Sequence, residues 1–335
     1  MISFAAVCVG LLLLVGGGGL LVRGASEVAA KHGISPMIVG LTIVGFGTSA
    51  PELVVNAMGA LRGETALAFG TVIGSNISNL GLVLGVAAII APISLQGDVV
   101  RREVPYLLLA TTMITAMALD GPLEGRAAVI GRTDAVIMLL MFCIFIYITT
   151  LDFMRSTQAD QLFLDIEDNP VLNSAPTGRV SWLLIFGGAA LLFAGGEFTV
   201  RGGSALAVQF GVSPTIIGLF VVAIGTSMPE LVTSIIAALR RESDLALGNV
   251  IGSNIFNSLL VLPVSGLISK IPIPTGGIGD LAASWVLAAV LIPIFFIGKA
   301  RLGRVEGVMF VVAYCTYAAY RILGSTVSSG AALPG

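Results

Sequence analysis

The sequence predicts an all-α integral membrane protein of ten transmembrane helices, arranged as two inverted five-helix repeats. Three observations lead there. Of 335 residues, 56% are apolar and only 11% charged, a balance that belongs to chains immersed in lipid. One segment occurs twice without a gap: GTSAPE and GSNISN return 178 residues later as GTSMPE and GSNIFN, the mark of an internal duplication. Each copy holds five apolar runs of bilayer length. An odd number of spans turns the second copy upside down relative to the first, about a pseudo-twofold axis in the membrane plane.

A hydrocarbon core about 30 Å thick needs roughly 20 apolar residues in a helix. The first run, 3–22, follows the first methionine without a basic leader, so it is expected as a retained helix rather than a cleaved signal. Runs 35–61 and 66–91 carry GTSAPE and GSNISN, and runs 103–119 and 132–151 close a first repeat, 1–151. The polar stretch 152–178, with Asp152, Asp160, Asp165, Glu167 and Asp168, reads as a tether, because it lacks the glycine pattern of a calcium loop. The second repeat, 179–335, repeats the series at 180–200, 213–239, 245–268, 281–298 and 305–323. Identity between the copies is strongest over the first three spans. Those are expected to build the site and the last two to scaffold it.

Lysine and arginine number 11 in the odd-numbered loops against 6 in the even-numbered loops and the C-terminal end. Short loops rich in them stay cytoplasmic. The expectation is a multi-pass protein of the cell (inner) membrane, with 152–178 in the cytoplasm and both termini outside or periplasmic. A net charge of -2 without a basic block argues against nucleic acid as a partner. Cys8, Cys143 and Cys315 stand singly in apolar runs and read as buried thiols that pack as small hydrophobes.

The repeated segments carry the chemistry. A carboxylate in an apolar run is expensive unless it is paired or lines a cavity, and each copy has one, Glu52 and Glu230. At 3.6 residues per turn Thr48 and Ser49 share a face with Glu52, and Ser75 one with Asn79. Thr226, Ser227, Glu230, Ser253 and Asn257 repeat the pattern. Pro51 and Pro229 withhold an N–H and crowd the carbonyls of Gly47 and Gly225, so each helix is expected to break at mid-membrane. The set is all oxygen, which suits hard cations such as Ca²⁺ and Na⁺, whereas zinc or copper would call for His or Cys. Asn79 and Asn257 also admit a plainer role as hydrogen-bonding glue between helices.

Two glutamates balance one Ca²⁺ or two Na⁺. Mutually exclusive occupancy of one cage is the physical basis of antiport. Protons could replace sodium at the same carboxylates. A passive channel fits broken, inverted helices less well than a carrier. A hydrolase using Ser49 or Ser227 lacks a histidine or lysine to activate the serine. No enzyme activity, organic cofactor or protein partner is implied; the expected partners are Ca²⁺, Na⁺ and the lipid bilayer.

The paired GTSxPE and GSNxxN segments resemble the alpha-repeats of the cation/calcium antiporter superfamily, in particular its sodium/calcium exchanger branch and the related prokaryotic exchangers. The resemblance covers essentially the whole chain. It implies that ions sit mid-membrane between helices 2, 3, 7 and 8, at Thr48, Ser49, Glu52, Ser75, Asn79, Thr226, Ser227, Glu230, Ser253 and Asn257. It adds backbone carbonyl ligands at Gly45 and Ala223. The proton-coupled branch resembles GNxxE where this chain has GTSxPE, which favours sodium as the driving ion. Some members carry aspartate where Asn79 or Asn257 stands, so this chain keeps two carboxylates rather than three. The resemblance further implies that helices 1 and 6 move together, on smooth faces placed by sequence at Gly16 to Gly19 and at Gly195 and Gly196.

Overall fold

The computed structural model describes residues 2–63, 65–94, 98–123, 125–164, 178–209, 223–297 and 301–330. Its helices are α1 (Ile2–His32), α2 (Pro36–Leu61), α3 (65–90), α4 (Asp98–Leu123), α5 (Arg132–Leu164) and α6 (Gly178–Gln209). They continue as α7 (Ala223–Thr226 and Met228–Leu239), α8 (Ser243–Ile268), α9 (Gly277–Ile297) and α10 (Arg304–Gly330). Among the described residues, 8 of these, α1 to α6 with α8 and α9, are long and apolar enough to cross a membrane.

Several helices outrun their apolar stretches, because hydropathy marks the part immersed in lipid and not the end of the hydrogen-bond ladder. Helix α1 continues past residue 22 through the i,i+4 pair Arg23–Glu27, 2.9 Å apart, and stops where Gly33 takes φ 61°. Helix α5 runs on to Leu164, so the first part of the expected tether is helical, and Asp152 within it pairs with Arg102 of α4. The remainder of that tether, 165–177, lies outside the described residues.

The central helices are α3 and α8. Their most apolar windows are 72% and 94% buried, against 22% for α5 and 28% for α6. In lipid the hydrophobic effect gives little reason for helices to associate, so close packing of small residues has to bring them together. Helices α1 and α6 do this antiparallel. Gly10 meets Gly195, Gly17 meets Gly188, Gly24 meets Ser181 and Gly202 meets Ser3. A Cβ on Gly17 would sit 2.8 Å from the Gly188 carbonyl oxygen. The contact surface therefore differs from the expected one: Gly17 and Gly195 belong to it, Gly16 faces open space, and Gly18 faces Ile236 of α7.

Two short antiparallel ribbons tie the copies together. β1 (Ile93–Ser94) pairs with β4 (Arg301–Leu302), and β2 (Val129–Ile130) with β3 (Ile271–Pro272). β1 and β3 occupy matching places at the 178-residue offset, and each ribbon takes one strand from each copy.

Two expectations need correction. Cys8, Cys143 and Cys315 are exposed on the protein surface rather than buried; in a chain that spans a membrane, an apolar outer surface meets lipid as readily as an inner one meets protein. Pro51 does not break α2, whose α-helical part runs unbroken from Gly45 to Leu61. The irregularity lies ahead of it, in a π-helical turn at Gly40–Val44. Local π adjustment of this kind is how membrane helices accommodate a proline. Helix α7 is interrupted, at Ser227, two residues before Pro229.

Candidate functional site

Helix α8 reaches α2 through glycines. A Cβ on Gly252 would lie 2.2 Å from the Leu41 carbonyl oxygen, and one on Gly248 2.4 Å from that of Met37. No other residue type allows that approach. The approach carries Ser253 to the bend of α2. Its hydroxyl lies 3.4 Å from the Gly45 carbonyl oxygen and 3.2 Å from Thr48 Oγ1. Thr48 also donates to Asn249 Oδ1 at 3.1 Å. Ser49 Oγ donates to Glu230 Oε1 at 3.3 Å, so a hydroxyl of one copy serves the carboxylate of the other. The Thr48 and Ser253 hydroxyls border Glu230 as well.

Glu52 and Glu230 are each 1% exposed and close enough to repel one another. Both Glu52 oxygens and Glu230 Oε2 lack a hydrogen-bond partner, as do Ser75 Oγ, Ser227 Oγ, Asn79 Oδ1 and both amide atoms of Asn257. Leaving a buried polar atom unsatisfied costs about 1–3 kcal/mol. Of 11 such atoms among the described residues, 8 belong to residues singled out from the sequence. The penalty thus falls mainly on the residues of the repeated segments, where a cation would relieve the unpaired oxygens. No ion pair among the described residues involves either glutamate.

A π-helical turn begins at Asn79 in α3 and at Asn257 in α8. Such turns add a residue to one turn of helix, re-aim the side chains around them, and gather at functional sites. Positions 218–222, which match Gly40–Val44 at the 178-residue offset, lie outside the described residues. Asn79 is both glue and candidate ligand: its Nδ2 donates to Asn254 Oδ1 at 3.0 Å while its own Oδ1 stays unpaired. Asn257 makes no hydrogen bond through its side chain.

The structure therefore joins Gly45, Thr48, Ser49, Ser253 and Glu230 by direct contact, with Glu52 within electrostatic reach of Glu230. Ser75, Ser227 and Asn257 are equally buried but are not hydrogen-bonded to them. Thr226 ends the first segment of α7, half-buried, and Ala223 opens that segment. Among the described residues, no group of three or more His, Cys, Asp or Glu side chains gathers as a metal cluster. The fixed charge of the site is that of two carboxylates.

Sequence reasoning missed a second tier. Asn76 donates to Ser258 at 2.9 Å, Asn254 to the Asn76 carbonyl at 3.2 Å, Asn249 to Ser234 at 2.9 Å, and Asn56 to the Glu52 carbonyl at 2.7 Å. Asn76 and Asn254 were findable, since both stand in the repeated GSN triplet. Asn56 and Asn249 break the identity between copies, so a search for repeated residues passes over them.

Comparison with known proteins agrees with this architecture. A family model described as sodium/calcium exchanger protein matches residues 2–151 and 180–323. The protein CaxA of Alkalimonas amylolytica is 37% identical over 327 residues, covering 95% of this chain and 98% of its own. Inner membrane protein YrbG of Escherichia coli is 36% identical over 273 residues, 80% of this chain and 81% of its own. The solved structure of the sodium-calcium exchanger NCX_Mj soaked with Na⁺ and Ca²⁺ superposes with a TM-score of 0.78 at 28% identity, covering 95% of this chain and 98% of that one.

Proposed function

The chain belongs to the sodium/calcium exchanger family, and from that premise we propose that it exports Ca²⁺ from the cytoplasm by admitting Na⁺ through one alternating-access site. The observation that carries the reading is the pair of buried carboxylates, Glu52 and Glu230, close enough to repel one another, without an ion-pair partner among the described residues, and with the Thr48, Ser49 and Ser253 hydroxyls bordering Glu230. Two negative charges in a buried site repel strongly. Either one Ca²⁺ or two Na⁺ neutralises them, and the presence of one excludes the other. Thr48, Ser49, Thr226 and Ser227 supply neutral oxygens beside the glutamates. Ser75, Asn79, Ser253 and Asn257 complete the shell from α3 and α8, with the Gly45 and Ala223 carbonyls as further ligands.

Alternating access would use the two copies, 1–151 and 179–335, as inverted five-helix repeats joined by 152–178. The antiparallel α1–α6 pair and the ribbons shared between copies support that arrangement. Glycine faces let α1 and α6 pack closely and shift as a unit against the site helices. The lysine and arginine bias supports a cytoplasmic linker with both termini outside, and the likeness to an inner membrane protein supports that location.

A second reading rests on the same carboxylates: buried, mutually repelling and without an ion-pair partner among the described residues, they could take protons in place of sodium. Purified protein in sealed vesicles decides between the two. Loaded with Na⁺ at equal pH on both sides, the vesicles should accumulate radioactive Ca²⁺; loaded with protons and free of Na⁺, they should not. Uptake under the proton gradient alone would overturn sodium coupling.

A further inference from the structure

Asn249 of α8 is fully buried and uses both ends of its amide. Its Nδ2 donates to Ser234 Oγ at 2.9 Å and to the backbone carbonyl of Glu230 at 3.3 Å, and its Oδ1 accepts from Thr48. In the other copy, Asn56 Nδ2 donates to the backbone carbonyl of Glu52 at 2.7 Å. The 178-residue offset gives these contacts their meaning. Ser234 corresponds to Asn56, and Asn249 to Thr71. Each copy thus has one amide and one hydroxyl at the same two places, with the pair exchanged between helices. What both copies keep is an amide N–H on the carbonyl of the residue that bears the carboxylate.

That carbonyl belongs to the residue that follows the proline, inside a regular stretch of helix, so the amide adds a side-chain restraint to the helix's own ladder at the point where the carboxylate is carried. We propose that Asn56 and Asn249 are positioning residues: each holds the backbone of its glutamate and so aims the carboxylate, and the amide can come from either helix of the pair. Asn249 has a further task. Its Oδ1, 3.1 Å from the Thr48 hydroxyl, helps to fix a hydroxyl that also reaches the Gly45 carbonyl at 3.3 Å and Ser253 Oγ at 3.2 Å. This inference rests on the ion-site reading of Glu52 and Glu230.

The exchange between copies supplies its own test. Asn249→Thr removes the amide, and adding Ser234→Asn rebuilds the first copy's arrangement in the second. In vesicle exchange the single variant should raise the KM for Ca²⁺ by about tenfold, the effect of losing one or two buried hydrogen bonds. Its ion-free melting temperature should fall modestly, because buried partners are left unsatisfied, and the double variant should recover most of the lost KM. Ca²⁺-dependent elevation of the melting temperature in detergent, which needs no gradient, should follow the same order. The mirror pair, Asn56→Ser with and without Thr71→Asn, tests the idea again should the first single variant fail to fold. A single variant equal to the wild type, or a double no better than the single, overturns the proposal. A wild type that neither carries Ca²⁺ nor is stabilised by it overturns the ion-site reading instead.

Discussion

Replacing Glu52 by Gln changes one charge and almost no volume, which makes it the sharpest probe of the site. Glu52 is 1% exposed, and neither of its oxygens has a partner, so no internal cation masks its charge. At an effective dielectric of about 20, unit charges about 4 Å apart interact by roughly 4 kcal/mol, so a divalent ion gains roughly 8 kcal/mol from one carboxylate. The Gln oxygen dipole and relief of repulsion from Glu230 return part of this. Returning half leaves roughly 4 kcal/mol, a loss of about a thousandfold in Ca²⁺ affinity, with a smaller loss for Na⁺ because its charge is halved. Vesicle uptake of radioactive Ca²⁺ should fall to background. The ion-free protein should melt no lower than the wild type, since a buried unpaired charge has been removed. Exchange by Glu52→Gln within about tenfold of the wild type would refute the reasoning.

Other substitutions test neighbouring parts of the account. Asn257→Asp adds a third buried negative charge where no hydrogen bond is lost, and should lower the ion-free melting temperature while binding Ca²⁺ more tightly in equilibrium binding. Asn79→Asp sets a carboxylate oxygen against Asn254 Oδ1, where an N–H now donates, and should lower stability by about 1–3 kcal/mol in a detergent melt. Gly195→Ala pushes a methyl to 2.8 Å from the Gly10 carbonyl oxygen and should slow exchange markedly, whereas Gly16→Ala, with nothing within 4 Å, should exchange as the wild type does. Arg241 holds φ 64° at the place matching Gly63, which holds φ 80°. Arg241→Gly should therefore raise the melting temperature, by relief of roughly 1 kcal/mol of backbone strain, and Gly63→Val should lower it.

The helices and the two carboxylates were legible because lipid imposes strict rules. Length, hydropathy and the cost of a buried charge are properties of the chain itself, and a gapless duplication doubles the signal. Helix ends were less legible: α1 and α5 continue as helix beyond their apolar runs, through residues whose polarity says only that they leave the lipid. The effect of proline was misplaced, because Pro51 shows in sequence whereas the π-turns at Gly40–Val44, Asn79–Val83 and Asn257–Val261 depend on packing between helices. The glycine contact of α1 and α6 was glimpsed at Gly17 and Gly195. Its full extent, from Gly10 to Gly24 against Gly202 to Ser181, requires knowing that the helices run antiparallel. Asn249 escaped notice because its counterpart is a threonine, and only the fold reveals that Asn56 on the facing helix does the same work.

The central claim is that Glu52 and Glu230 form one site that holds either Ca²⁺ or Na⁺. Equilibrium binding of radioactive Ca²⁺ to the purified protein, titrated with Na⁺ at constant ionic strength and pH, tests it most directly. The account predicts complete, competitive displacement, steeper than one Na⁺ per Ca²⁺, with Ca²⁺ binding lost in Glu230→Gln. Ca²⁺ that stays bound at saturating Na⁺, or that binds Glu230→Gln as tightly as the wild type, would contradict it.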